Sequence, residues 1–241
     1  WHIECSAMAE ELLGVGFEVH GGGNDLVFPH HENEAAQTRT ARGAELAAIW
    51  MHNGMLQMGA EKMAKSVGNV ALLHEVLERW GRDTVLWFFS TGHYRQPLAF
   101  TDDALEAARD TVRNVRELGR RLAAGPSPER LAGVRERFFA ALADDFNTPR
   151  ALEAIAEWRR GIADGEGSDD LREMLGILGL ANLLDAEAAA PPEVEALAEA
   201  RGRAREAKDF AESDRLRDEI AAAGWTVRDV PEGWELVPAS R

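Results

Sequence analysis

The chain has 241 residues, 45% of them apolar and 29% charged, an ordinary globular composition that sets aside fibrous and disordered classes and allows one or two domains. No apolar run approaches the roughly 20 residues of a membrane helix. The net charge of −15 gives no bulk attraction for nucleic acid, although a local basic stripe stays compatible with it.

The opening segment WHIECSAMAEELLG has neither the basic start nor the apolar stretch of a secretory signal, so a cytoplasmic location and no membrane contact are expected. The first residue is Trp1 rather than Met, which warns that further sequence precedes it. A single cysteine, Cys5, excludes an intrachain disulfide and fits a reducing compartment. Up to about residue 75, Gly, His and Asn are frequent, and runs such as AAIWMHNGML alternate with loops, as in an α/β layer. Pro29 suits the first turn of a helix, which would set His30 and Glu34 on one face at i and i+4. With Cys5 they offer imidazole, carboxylate and thiolate, a donor set suited to Zn²⁺; spacing alone leaves His31 an equal candidate to His30. The glycines of His20-Gly21-Gly22-Gly23-Asn24-Asp25 allow close backbone approach to a ligand, with Asp25 able to accept from ribose hydroxyls. A tight turn is the plainer reading, and the stretch fits neither the dinucleotide nor the P-loop pattern. In Glu61-Lys62-Met63-Ala64-Lys65-Ser66, the ammonium groups of Lys62 and Lys65 suit a polyphosphate and the charge developing on departing pyrophosphate.

Beyond residue 75 helical periodicity dominates. Thr101 is a candidate N-cap before Leu105, Ala108, Val112, Val115 and Leu118, with Asp102 and Asp103 in the first turn. On the same helix Arg109, Arg113, Arg116 and Arg120 fall within about 60° of each other, as a basic stripe or a solvated face. A second helix is expected from Ser127-Pro128 with Pro at N1, a third from Thr148-Pro149 and a fourth from Ser168 to Gly179, together an antiparallel bundle. LLDAEAAAPPEV reads as a linker. Glu193 to Ala223 reads as one long helix, broken if anywhere near Gly202, with Gly224 as its stop. WTVRDV and WELVP then form a hairpin.

Four stretches, WHIECSAMA, HGGGNDLVFPHHENEAAQ, WMHNG and KMAKS, occur in that order before residue 67. This succession resembles the second half of the class I catalytic domain of cysteinyl-tRNA synthetases, KMAKS standing for their KMSKS signature with Ala64 in place of its first serine. The likeness continues through TGHYRQPLAF, DDFNTPRAL and ARGRAREAKDFAESDRLRDEI. It implies an α/β region followed by a mainly α one. Residues 1–75 would be the second half of a Rossmann-like catalytic domain, 76–100 a connecting stem-contact region, 101–188 a helical bundle and 191–241 a small α+β anticodon-binding module.

Residue by residue, the resemblance makes Cys5, His30 and Glu34 three ligands of one Zn²⁺ and chooses His30 over His31. The family's fourth ligand, a cysteine near its N terminus, is absent here, as is its HIGH-type motif. Trp1, His20 and His52 match the cysteine pocket, Gly22 and Asp25 the adenosine site, and Lys62 and Lys65 the catalytic ATP-binding lysines. The implied reaction activates L-cysteine with ATP and Mg²⁺ and charges tRNA(Cys), in a monomer. Arg201, Arg203, Arg205 and Lys208 would meet phosphates, and Trp225 and Trp234 would stack on bases or pack into a core. Two alternatives are the related cysteine ligase of mycothiol synthesis and a non-catalytic tRNA- or zinc-binding fragment lacking the N-terminal half. HHENE and the tail after Pro191 favour the synthetase over the former.

Overall fold

The computed structural model describes residues 1–58, 61–62, 71–185, 190–230 and 233–238, with backbone alone at 61–62, 228–230, 235 and 237–238. The chain divides into two compact units, Trp1–Leu183 and Leu184–Arg241.

The first unit begins with helix α1 (His2–Leu13), strand β1 (Phe17–Gly23), a π-turn over Val27–His31, helix α2 (Glu32–Arg42) and strand β2 (Ala47–Asn53). Strands β1 and β2 pair in parallel, from Phe17 opposite Ala47 to Gly23 opposite Asn53. A parallel pair needs a crossover, and α2 supplies it. Phe17, Leu46 and Ala47 are buried, with Ala9 and Trp50 packed against them. The expectation that Pro29 opens the helix is corrected: Pro29 lies inside the π-turn, and α2 starts at Glu32. His30 and Glu34 still converge, because the turn runs directly into α2.

Strand β3 (Leu56–Met58) pairs antiparallel with β4 (Glu61–Lys62) and parallel with β5 (Leu98–Ala99). Gly54 precedes it and donates its N–H to the Tyr94 carbonyl at 2.7 Å. A Cβ at residue 54 would stand 2.1 Å from the Gln96 carbonyl oxygen, so two backbones touch where only glycine fits. Between β4 and β5 lie α3 (Leu73–Trp80) and α4 (Arg82–Ser90).

The helical part comprises α5 (Asp102–Gly119), α6 (Ala132–Ala143), α7 (Thr148–Gly161) and α8 (Asp169–Ile177). Thr101 caps α5 as expected, its Oγ1 accepting from the Ala104 N–H at 3.2 Å. Leu105, Val112, Val115, Phe138, Ile155, Trp158, Leu171 and Met174 are buried, so helical periodicity here marks a true core. Pro128 does not open the second helix. It precedes a 3₁₀ turn over Glu129–Leu131, and α6 starts at Ala132, because Ser127 Oγ is engaged by the Asp170 N–H at 3.0 Å. At the α6–α7 corner, Asp145 and Phe146 hold left-handed backbone at φ 56° and 52°. Asp145 there accepts from Tyr94 Oη at 2.7 Å and from Arg95 Nε at 2.5 Å. These bonds hold its carboxyl at about 2, with Arg95 the larger cause.

The second unit contains α9 (Pro192–Glu206), α10 (Phe210–Ala222), β6 (Trp225–Val230) and β7 (Gly233–Pro238), the strands forming an antiparallel hairpin. The helix break expected at Gly202 lies instead at residues 207–209, where Lys208 takes φ 60° and Asp209 caps α10 by accepting from the Glu212 N–H. Gly202 stays helical because the Trp234 indole covers it; a Cβ there would sit 3.3 Å from Trp234 Nε1. Val194, Ala198, Ile220, Trp225 and Val227 form the core, with Leu197, Trp234 and Leu236 against it.

Candidate metal and substrate site

Three elements bring the donors together. Cys5 sits on α1, His30 at the end of the π-turn and Glu34 on the first turn of α2. The Cys5 Sγ, one His30 ring nitrogen and one Glu34 oxygen all lie within 4.8 Å of one another. Glu34 is fully buried and His30 nearly so, a costly place for a carboxylate unless it is paired. One oxygen is served: Glu34 Oε2 faces His20 Nε2 at 3.0 Å. The other, Oε1, is buried without a hydrogen bond among the described residues, 3.5 Å from His30 Nε2. His30 Nδ1 meets His2 Nδ1 at 2.8 Å, which orients the ring and leaves Nε2 toward the donor cluster. An orphaned carboxylate oxygen, an oriented imidazole and a thiol are a fitting donor set for a zinc-type cation.

A second convergence lies beside the first. His20, His31 and Glu34 also present donors within 4.8 Å of one another. His31 Nδ1 lies 2.8 Å from His52 Nε2, so a chain of side chains runs from Glu34 through His20 and His31 to His52. Burial pushes the His31 imidazole below the ordinary histidine range, and charge on His20 pushes the same way, against the opposing pull of Glu34. Strand register explains the grouping, since His20 stands opposite Trp50 and Gly22 opposite His52. Gly22 admits the His31 ring, whose Cε1 would lie 2.8 Å from a Cβ there. Trp1 is two-thirds exposed at 66% and tilts over His30, ring centres 4.2 Å apart.

Sequence reasoning set His31 aside as a ligand and passed over His2, yet both sit in this cluster. The signal for His2 was its place three residues before Cys5 on one helix. For His31 it was the register of β1 against β2, which sequence does not display.

Asp25 is exposed and its carboxylate folds back over Gly23, while Asn24 Nδ2 donates to the Arg95 carbonyl at 3.4 Å. Lys62 contributes backbone to β4 opposite Gln57. Lys65 and the rest of the KMAKS stretch lie outside the described residues. The basic stripe on α5 is largely neutralised: Arg109 pairs with Glu106, Arg113 with Asp110 and Arg116 with Asp83. One expectation in the second unit is corrected: Arg201 is buried, away from any surface that would meet a phosphate. For Trp225, of the two expected roles, the structure has the core residue.

No helix among the described residues is long and apolar enough to cross a membrane. A family model described as the class I (C) tRNA synthetase catalytic domain matches residues 1–110, and one described as the cysteinyl-tRNA ligase anticodon binding domain matches 187–234. Among curated relatives, the cysteine–tRNA ligase of Halorhodospira halophila is 44% identical and that of Thioalkalivibrio sulfidiphilus 42%, each covering 97% of this chain. The chain spans about half of their length, 54% in both. Among solved structures, a Mycobacterium tuberculosis methionyl-tRNA synthetase bound by methionyl-adenylate matches 72% of this chain and 36% of its own, at 19% identity and TM-score 0.49. The ordered motifs, the two family models and these relatives agree, and the chain belongs to the cysteinyl-tRNA synthetase family.

Proposed function

We propose that this chain supplies the cysteine-selecting and tRNA-facing parts of a cytoplasmic, monomeric cysteine–tRNA ligase. The ligase joins L-cysteine to ATP with Mg²⁺, giving cysteinyl-adenylate and pyrophosphate, and passes the cysteinyl group to tRNA(Cys). The observation that carries the reading is the buried Glu34 oxygen left without a hydrogen bond beside Cys5 and His30. Cys5, His30 and Glu34 would hold one Zn²⁺. When bound, that ion supplies a Lewis acid that prefers a thiolate over the serine hydroxyl, a separation that shape alone achieves poorly.

The chain's own residues then divide the work. His2 orients His30, and His20 holds Glu34 in place. His20, His52 and Trp1 would line the cysteine pocket. Gly22 and Asp25 would accommodate the adenosine, and Lys62 and Lys65 would neutralise the departing pyrophosphate. The domain assignment follows the same reading: residues 1–75 belong to the second half of a Rossmann-like catalytic domain, 76–100 connect it to the 101–188 bundle, and 191–241 form the anticodon module. The match at 187–234 favours a tRNA substrate over an amino sugar.

Metal analysis tests the reading. The purified chain is expected to carry one zinc, and Glu34→Ala to weaken zinc affinity at least ~100-fold, beyond the 10- to 100-fold typical of outer-shell changes. Retained zinc in the variant would remove Glu34 from the ligand set. Cysteine-dependent pyrophosphate exchange is expected only when the family's HIGH-type half accompanies these residues; exchange by the chain alone would overturn that part.

A further inference from the structure

A cleft of about 680 Å³ opens between α5 and α7, lined by four arginines, Arg120, Arg121, Arg159 and Arg160, against one acidic residue, Glu117. Arg121 is held by Asp164 at 2.8 Å. Arg159 and Arg160 make no hydrogen bond or ion pair to any described residue, in contrast to the paired arginines of the α5 stripe. Arg159 is half-buried, and its Nε is fully buried without an acceptor. Burial and the adjacent Arg160 charge both pull the Arg159 guanidinium below the usual arginine value, the direction expected of a cation lacking its counter-ion.

The ordinary account of arginines in the last turn of a helix is that they complement its dipole. That account suits exposed side chains. It gives no reason to place a half-buried guanidinium beside another in a protein of net charge −15. A desolvated donor with no acceptor costs stability unless something fills the position. The fork of a guanidinium matches the oxygens of a phosphoryl group, and two forks converging on one cleft can take adjacent oxygens.

We propose that the α5–α7 cleft is a phosphoryl-binding site in which Arg159 and Arg160 grip one phosphodiester of an RNA backbone. The RNA source rests on the tRNA reading above; a free polyphosphate shares the chemistry. Position and charge, rather than base edges, are what such a site reads, so it would fix register without contributing sequence preference.

The test uses this chain, a tRNA transcript and, separately, inorganic pyrophosphate. Arg159→Gln/Arg160→Gln is expected to weaken tRNA binding ~10-fold and to flatten the dependence of log affinity on log salt by about 1 to 2. Arg137→Gln, which removes an exposed arginine paired with Glu157, is the control and is expected to change neither. One-to-one pyrophosphate binding lost in the double variant, with tRNA affinity unchanged or absent, would keep the site and assign it to a free phosphoryl ligand; absent tRNA binding would sink the tRNA reading alone. A double variant that melts like the parent and binds both ligands as the parent does overturns the proposal, as does a parent that binds neither. Should the double variant fail to fold, Arg160→Gln alone decides the matter, because Arg160 is exposed.

Discussion

Between Thr101 and Gly179 the buried side chains are those a helical pattern marks, among them Leu105, Val112, Phe138, Ile155 and Trp158. In the first 42 residues burial runs the other way. Ser6, His30, His31, Glu34 and Thr38 are buried there, while Ile3, Met8, Leu12 and Val19 stand at least half exposed. The bundle is held by removing apolar area from water, whereas the first segment buries polar groups that largely satisfy each other, Glu34 Oε1 being the exception. Thr38 Oγ1 donates to Glu10 at 2.7 Å, Ser6 Oγ to Gln37 Oε1 at 2.7 Å, and the histidines bond in pairs. A network of this kind adds little net stability but fixes the positions of donors. The two regions thus differ in what they bury, apolar side chains in the bundle and candidate donors in the first segment.

The largest expected effect lies in the bundle. Phe138→Ala, at a fully buried position, should cost about 3 to 5 kcal/mol in denaturant unfolding. Zinc content per folded molecule should stay the same; a parallel loss of metal would break the comparison. In the first segment, His2→Ala should weaken zinc affinity by ~10-fold or more through the freed His30 ring, with little change in melting. A smaller effect belongs to the cap of α5: Thr101→Ala should lower stability by about 1 kcal/mol in the same denaturant assay.

The smallest concerns pH. Asp145 is held at about 2, below its ordinary 3.8, so its ionised form is favoured in the folded protein. Its stabilising contribution is therefore present above pH ~4 and fades as pH falls toward 2. Unfolding curves of the parent and Asp145→Asn should differ above pH 4 and draw together near 2. A gap that stayed constant across this range would show that the corner is held by packing instead.

The bundle was legible because apolar spacing alone specifies helices that bury one face. α7 begins at Thr148 as expected, and α8 follows Ser168. Its errors were local: Ser127 was engaged by another helix, and the break after α9 came where Lys208 turns left-handed rather than at the glycine. The Cys5, His30 and Glu34 set was nameable through a family likeness and could not come from periodicity, since its members lie on different elements. His2 was missed, and spacing could not decide between His30 and His31, because paired imidazoles depend on strand register and on which ring nitrogen faces which neighbour. The buried Arg201 shows the same limit from the other side, where residue type suggested a surface role and packing denied it.

The contact of Gly54 with the Gln96 carbonyl bears on how the protein could be disabled conditionally. A methyl group there cannot be absorbed by rotating a side chain, because both partners are main chain. It would lever β3 away from β5 and disturb the antiparallel pairing of β3 with β4, the strand that holds Lys62. Residue 54 is thus the place for a heat-sensitive lesion that acts through the backbone pairing of β3 with β5 rather than through any of the donor side chains.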